Sequence, residues 1–204
     1  MHVHVIDDNA SVRRALKRLL GSVGIQAETY ASAQQFLDAE LPDLPSCLVL
    51  DVRMPRISGL ELQDRLLAAG RDIPIVFITG HGDIAMAVEA MKKGAVDFLP
   101  KPFNDQDLID AIHRALAQHE RLRDERAERD EVLARLERLT PREREVMELV
   151  VTGRLNKQIA GELGTVEKTV KVHRARVMEK MEAESLAELV RLAARVGIQG
   201  PPAD

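Results

Sequence analysis

Cys47-Leu48-Val49-Leu50-Asp51-Val52-Arg53-Met54-Pro55 is the stretch that decides how the chain folds. Its apolar run is short, continuous and bounded by polar residues, which is the pattern of a strand buried on both faces of a parallel sheet, and Asp51 stands at its carboxyl end. Open α/β sheets place their chemistry outside the carboxyl ends of their strands. Three comparable runs end the same way: Val3-His4-Val5-Ile6 in Asp7-Asp8, Ile75-Val76-Phe77-Ile78 in Thr79, and Val96-Asp97-Phe98-Leu99-Pro100 in Lys101. If the four runs are parallel neighbours, their polar ends converge.

Three crowded carboxylates repel one another and are tolerated best around a hard divalent cation, and oxygen-only ligation of that kind suits Mg2+. An ammonium and a hydroxyl beside the cation point to an anion as second guest. A phosphoryl group is the anion that uses both a metal and an ammonium, and a carboxylate can accept one covalently. Asp51 is therefore the candidate phosphorylation site. Singly, each residue has an ordinary reading: a strand-end Asp forms a turn, a strand-end Thr fills space, and Lys-Pro marks a loop. Specificity lies in their combination and order.

The segments Asp7-Asp8, Asp51-Val52-Arg53-Met54-Pro55, Ile78-Thr79-Gly80 and Lys101-Pro102 resemble the receiver domain of bacterial two-component response regulators, over about the first 118 residues. The resemblance implies that Asp51 takes a phosphoryl group from a sensor histidine kinase, with Asp7, Asp8, Asp51 and the backbone carbonyl of Arg53 around Mg2+. It also implies that Thr79 and Lys101 bind the phosphoryl oxygens, that Phe98 is an aromatic switch moving inward with Thr79, and that the Lys101-Pro102 bond is cis.

Composition sets the outer limits. A chain of 204 residues has room for one or two domains, each with its own core. With 45% hydrophobic and 30% charged residues it is neither disordered nor a membrane protein, and no run approaches the roughly 20 apolar residues of a membrane span. The amino terminus runs directly into a strand without a signal-peptide pattern, so a cytoplasmic location is expected. Cys47 is the only cysteine, which excludes an internal disulfide and a thiolate zinc cluster and leaves it as a core residue.

Apolar periodicity predicts helices over 10–23, 32–39, from Leu60 to near Gly70, from Asp83 through Lys93, and around Leu108 to Leu116, alternating with strands that include an edge strand at 26–30. Alternating strands and helices imply a parallel sheet with right-handed crossovers. The fold class expected is α/β, a doubly wound five-stranded parallel sheet, and the resemblance adds the flavodoxin-like strand order 2-1-3-4-5. Domain boundaries are expected at 1–118 for the receiver, 119–138 for a charged helical linker, and 139–204 for a second domain. The linker lacks Gly and Pro and carries the i,i+4 pairs Glu125/Arg129 and Glu131/Arg135. It reads as a solvated connecting helix. A coiled-coil stem is the alternative, although Leu122, Val132, Leu133 and Leu136 do not sustain heptads.

Beyond the linker four short helices are signalled. Thr140-Pro141-Arg142-Glu143 is a capping box with proline at the first helical position, Asn156 and Thr165 are candidate caps, and Ser185 with Glu188 is a second capping box. A tight turn at Gly164 between two of these helices suggests a helix-turn-helix module. On the third helix Val170, His173, Val177 and Met181 form an inward stripe, with His173 read as a core or capping residue. The opposite face presents Lys168, Lys171, Val172, Ala175 and Arg176, basic groups around a small apolar patch suited to a DNA major groove. From 139 onward there are eleven basic and ten acidic residues, so this reading rests on where charge lies and not on net charge. The segments Thr140-Pro141-Arg142-Glu143, Asn156-Lys157-Gln158-Ile159-Ala160 and Thr169-Val170-Lys171-Val172-His173 resemble the LuxR-type DNA-binding domain. Together with the receiver this looks like a FixJ-type transcriptional regulator. Contacts to double-stranded promoter DNA are expected from Lys171 and Val172, with Lys168 and Arg176 nearby and Lys157 as a phosphate contact. The family's further contact position is Ala175, which carries no charge. RNA polymerase is an expected partner, and a homodimer is the expected phosphorylated state.

Two other functions fit parts of the chain. An Mg2+-dependent phosphohydrolase also uses an aspartate nucleophile, but enzymes of the haloacid-dehalogenase type carry a second Asp two residues on, where this chain has Arg53. An RNA- or protein-binding output is the other, but no Phe, Tyr or Trp occurs from 104 onward to stack on bases.

Overall fold

The computed structural model describes residues 1–80 and 84–198. Asp83, expected to open a helix, lies outside the described residues. The chain divides into two compact units, Met1–Arg123 and Asp124–Asp204.

The first unit is built on five strands, β1 (His2–Ile6), β2 (Gln26–Tyr30), β3 (Ser46–Asp51), β4 (Ile75–Thr79) and β5 (Asp97–Pro100). They form one sheet in the order β2-β1-β3-β4-β5, every pair parallel. The continuous apolar runs of β1, β3 and β4 are buried on both faces, as a doubly covered parallel sheet requires, whereas β5 at the other edge is only partly buried. Val3, Val5, Cys47, Val49, Val76 and Ile78 face α1 (Ala10–Ser22) and α5 (Asp105–Glu137), where Leu16, Leu20, Leu108, Ile112 and Leu116 close one core. Ile6, Leu48, Leu50 and Phe77 point the other way, against Phe36 of α2 (Ala33–Leu37), Leu62 and Leu66 of α3 (Gly59–Ala68) and Ala90 of α4 (Ile84–Lys92). β2 exposes alternate residues, consistent with its place at the edge. The helix expected over 32–39 is shorter, because Ser32 is its N-cap and accepts from the Gln35 amide, and the helix ends at Leu37.

α5 runs unbroken through 33 residues, so the expected connecting helix is the continuation of the first unit's last helix and not a separate element. Val132 and Leu136 on its distal part are buried in the second unit's core beside Val146, Met147 and Val150, whereas Leu122 and Leu133 are exposed. The second unit therefore has one helical segment more than the four read from the sequence. Those four are α6 (Pro141–Val151), α7 (Asn156–Glu162), α8 (Glu167–Lys180) and α9 (Leu186–Arg195). Among the described residues no helix is long and apolar enough to cross a membrane.

Candidate functional site

Strand register explains why the four polar ends meet. Ile6 is level with Leu50, so Asp7 and Asp51 leave adjacent strands at the same height. Thr79 is level with Pro100, which brings Lys101 beside it, and the Lys101 amide donates to the Thr79 carbonyl at 2.6 Å. The Lys101-Pro102 bond is cis. Asp7, Asp51 and Thr79 are buried, Asp8 is exposed, and Lys101 is half-buried. Lys101 Nζ bridges the two buried carboxylates, 2.7 Å from Asp7 Oδ2 and 3.3 Å from Asp51 Oδ1. One carboxylate oxygen from each of Asp7, Asp8 and Asp51 lies within 4.8 Å of the others, a spacing that fits a hard cation with oxygen ligands.

Lys101 pairs with Asp7 and Asp51, and Asp8 adds a third carboxylate. Burial raises the pKa of Asp51 above the ordinary aspartate value, Lys101 opposes this, and Asp7 and Asp8 add to it. Arg53 is exposed on the loop after β3, where it lines an open recess with Asp8, Met54, Pro55 and Met86. Phe98 is half-buried, its ring 6.1 Å from that of the fully buried Phe77.

Supporting residues around this pocket escaped the sequence reading. Asn9 donates its amide to Asp7 Oδ1 at 2.8 Å while its own side chain caps α1, and the Arg13 guanidinium donates to the Asp7 carbonyl at 2.6 Å. An Asn directly after Asp7-Asp8 and before an apolar helical pattern was the available signal. At Gly59 a Cβ would stand 2.4 Å from the Asp51 carbonyl oxygen, so only glycine lets α3 start so close to the end of β3. Its one sequence signal is a glycine where a helix begins.

In the second unit Gly164 has φ of 61° and makes the turn between α7 and α8. Val170, Val177 and Met181 are fully buried and His173 is half-buried, so the inward stripe of α8 is as read. Lys168, Lys171, Val172, Ala175 and Arg176 are all exposed on the other side, and Lys157 is exposed on α7. Lys171 pairs with Glu167 one turn earlier at 3.2 Å. Two expected caps are displaced by one residue: α7 is preceded by Leu155, whose amide is capped by Gln158, and α8 by Val166, not Thr165. Asn156 instead accepts from Arg174 of α8 at 3.3 Å, joining the two helices of the motif. The Ser185 cap accepts from the Glu188 amide, but Glu188 takes the Glu184 amide in return, one residue outside a standard box.

Residues 3–113 match the family described as response regulator receiver domain, and residues 137–193 match that described as bacterial regulatory proteins, luxR family. The chain belongs to the response regulators. It is 50% identical over 196 residues to nodulation protein W of Bradyrhizobium diazoefficiens, covering 96% of this chain and 86% of that protein. It is 49% identical over 198 residues to the transcriptional regulatory protein FixJ of the same organism, covering 97% and 96%. Among solved structures the response regulator StyR superposes with a TM-score of 0.83 at 50% identity, over 95% of this chain and 98% of the other. This response regulator thus pairs a receiver with a LuxR-type domain, binds DNA and controls transcription.

Within the response regulator's DNA-binding domain, the Thr140 capping box is complete and extends further than its sequence signature. The buried Glu143 carboxylate accepts from the Thr140 amide at 2.9 Å and from Lys180 Nζ of α8 at 2.6 Å. Lys180, then the Thr140 amide, draws the Glu143 carboxyl down from 4.5 to about 2. The cap of α6 is thereby also the clamp on the helix that carries the basic face.

Proposed function

We propose that Asp51 is the phosphoacceptor of this response regulator, charged by a sensor histidine kinase. The observation that carries the reading is the convergence of Asp7, Asp8, Asp51, Thr79 and Lys101 at the carboxyl ends of neighbouring strands, with Lys101 bridging two of the carboxylates. Asp51 forms the new P–O bond as the donor's P–N bond breaks, and the electron pair leaves with the kinase imidazole. Asp7, Asp8, Asp51 and the Arg53 carbonyl would hold Mg2+, which supplies charge neutralisation to the transferring group. Lys101, turning from Asp7 and Asp51, and the Thr79 hydroxyl would hold phosphoryl oxygens. Asp51 accepts a group and does not turn over external phosphomonoesters; Arg53 occupies the position where such hydrolases keep a second carboxylate.

Thr79 and Phe98 would couple phosphorylation to the face of α4, β5 and α5, through which two receivers pair. On α4 the apolar residues Ile84, Val88 and Met91 recur at i, i+4 and i+7 and are all exposed, Ile84 to 82%. Pairing brings two DNA-binding domains together, and each α8 then reads one half-site of a promoter through Lys171 and Val172, flanked by Lys168 and Arg176, with Lys157 on phosphate. The functional division is 1–118, 119–138 and 139–204, and the promoter-bound dimer acts on RNA polymerase in the cytoplasm.

The deciding experiment is intact-mass measurement after incubation with a small phosphodonor and Mg2+. Wild type should gain one phosphoryl group and Asp51→Asn none. An equal gain in the two proteins would remove Asp51 from the role.

A further inference from the structure

β1 and β2 carry a second cluster of ligand-type side chains, away from the phosphoacceptor pocket. His2 and His4 are two residues apart on β1 and project from the same face of the sheet, and the parallel register sets Glu28 of β2 level with His4. One ring nitrogen from each histidine and one Glu28 carboxylate oxygen all lie within 4.8 Å of one another. The imidazole of His4 is fully buried between Tyr30 and Phe36, with ring centroids 5.8 and 5.5 Å away. Its Nδ1 is 3.2 Å from the Tyr30 hydroxyl, while its Nε2 is buried and has no hydrogen-bond partner among the described residues. His2 Nε2 is buried likewise and stands 3.7 Å from Glu28 Oε2, beyond hydrogen-bond reach.

Two buried imidazole nitrogens without hydrogen-bond partners, beside one carboxylate, are costly unless another group satisfies them. A neutral imidazole with a free lone pair is the form that binds a metal. The Tyr30 hydroxyl, 3.2 Å from Nδ1, can accept Nδ1–H, and in that tautomer Nε2 carries the lone pair, the outer-shell arrangement usual for a metal-bound histidine.

We propose that His2, His4 and Glu28 bind one divalent transition-metal ion of the Zn2+ type, tying β1 to the edge strand β2. Two imidazoles and one carboxylate suit Zn2+ and its neighbours and disfavour Mg2+, whereas the all-oxygen set of Asp7, Asp8 and Asp51 has the opposite preference. Ligand atoms about 2.0–2.2 Å from a tetrahedral Zn2+ are about 3.3–3.6 Å apart; His2 Nε2 and Glu28 Oε2 stand at 3.7 Å already, and no pair in the cluster has to close from more than 4.8 Å. Glu28 is 54% exposed at its side chain, which gives it room for that movement. Three protein ligands leave one coordination position for water.

The test uses the full chain, stripped with a chelator and held in excess Mg2+ so that the oxygen pocket does not compete. Zn2+ is titrated against a chromophoric chelator, and Co2+ is added in parallel for its tetrahedral absorption. Wild type should bind one equivalent of Zn2+ and show the tetrahedral Co2+ bands. His2→Gln and Glu28→Gln, both at partly exposed side chains, should each weaken binding by at least about tenfold and lose the bands, while Asp51→Asn retains both. Equal Zn2+ affinity in wild type, His2→Gln and Glu28→Gln would overturn the site, as would loss of binding in Asp51→Asn alone or the absence of a stoichiometric equivalent in wild type.

Discussion

Glu143→Gln tests whether the cap of α6 also holds α8, the helix with the basic face. Glu143 is 2% exposed and its carboxylate receives both the Thr140 amide and the Lys180 ammonium. A fall in pKa from 4.5 to about 2 corresponds to about 3 kcal/mol of preference for the ionised form in the folded state. The Lys180 side chain is 32% exposed and regains water when the pair is broken, which reduces the expected loss to about 2 kcal/mol. Gln at this position still accepts from the Thr140 amide but turns an N–H toward the ammonium, so Glu143→Ala should cost about 1 kcal/mol more by also losing the box. Because the folded pKa is depressed, the contribution is complete above pH 4.5 and is lost as pH falls toward about 2. The difference between wild type and Glu143→Gln should therefore shrink to less than about half its neutral value at pH 3. Urea titration read by hydrogen-exchange mass spectrometry, with peptides from α6 and α8 as reporters and peptides from β1 and β3 as internal control, separates the two units. Unchanged midpoints in α6 and α8, or a difference that persists undiminished at pH 3, would refute the clamp.

In Mg2+-free buffer at neutral pH, Asp51→Asn should melt at a higher temperature than wild type, because the raised pKa of Asp51 means that folding disfavours its charged form. The advantage is largest above the raised folded pKa, vanishes below the unfolded one, and should narrow when Mg2+ is added to wild type; calorimetry at several pH values checks it. Thr79→Ala should accept a phosphoryl group yet remain monomeric by sedimentation, whereas phosphorylated wild type shifts toward dimer; a dimer in the variant would sever Thr79 from signalling. Lys171→Ala should lose about 1–3 kcal/mol of operator binding and little nonspecific binding, its pair with Glu167 being a solvent-exposed one of small value. Lys157→Ala should weaken both and lower the salt slope by about one; equal losses on operator and scrambled duplex for Lys171→Ala would end its role in base reading.

Local signals sufficed for much of the molecule. The continuous runs ending in Asp51, Asp7 and Thr79 are legible because a strand buried on both faces needs unbroken apolar sequence, and Lys101 because functional groups gather at strand ends. The caps at Thr140 and Ser185 were equally legible, since a cap bonds to an amide only three residues away. Where a neighbour from another helix competes, the same signals mislead: Asn156 is drawn to Arg174, and the start of α7 passes to its flanking residue. Tertiary structure alone decided that Val132 and Leu136 belong to the second unit's core, because their partners at Met147 and Val150 are separated from them by a turn that periodicity does not see. It alone placed Lys101 between Asp7 and Asp51, closed Glu143 onto Lys180, and set Glu28 level with His4. These pairings join residues far apart in sequence, and they exist only once strand register and helix packing have fixed which distant side chains share a dry, crowded space.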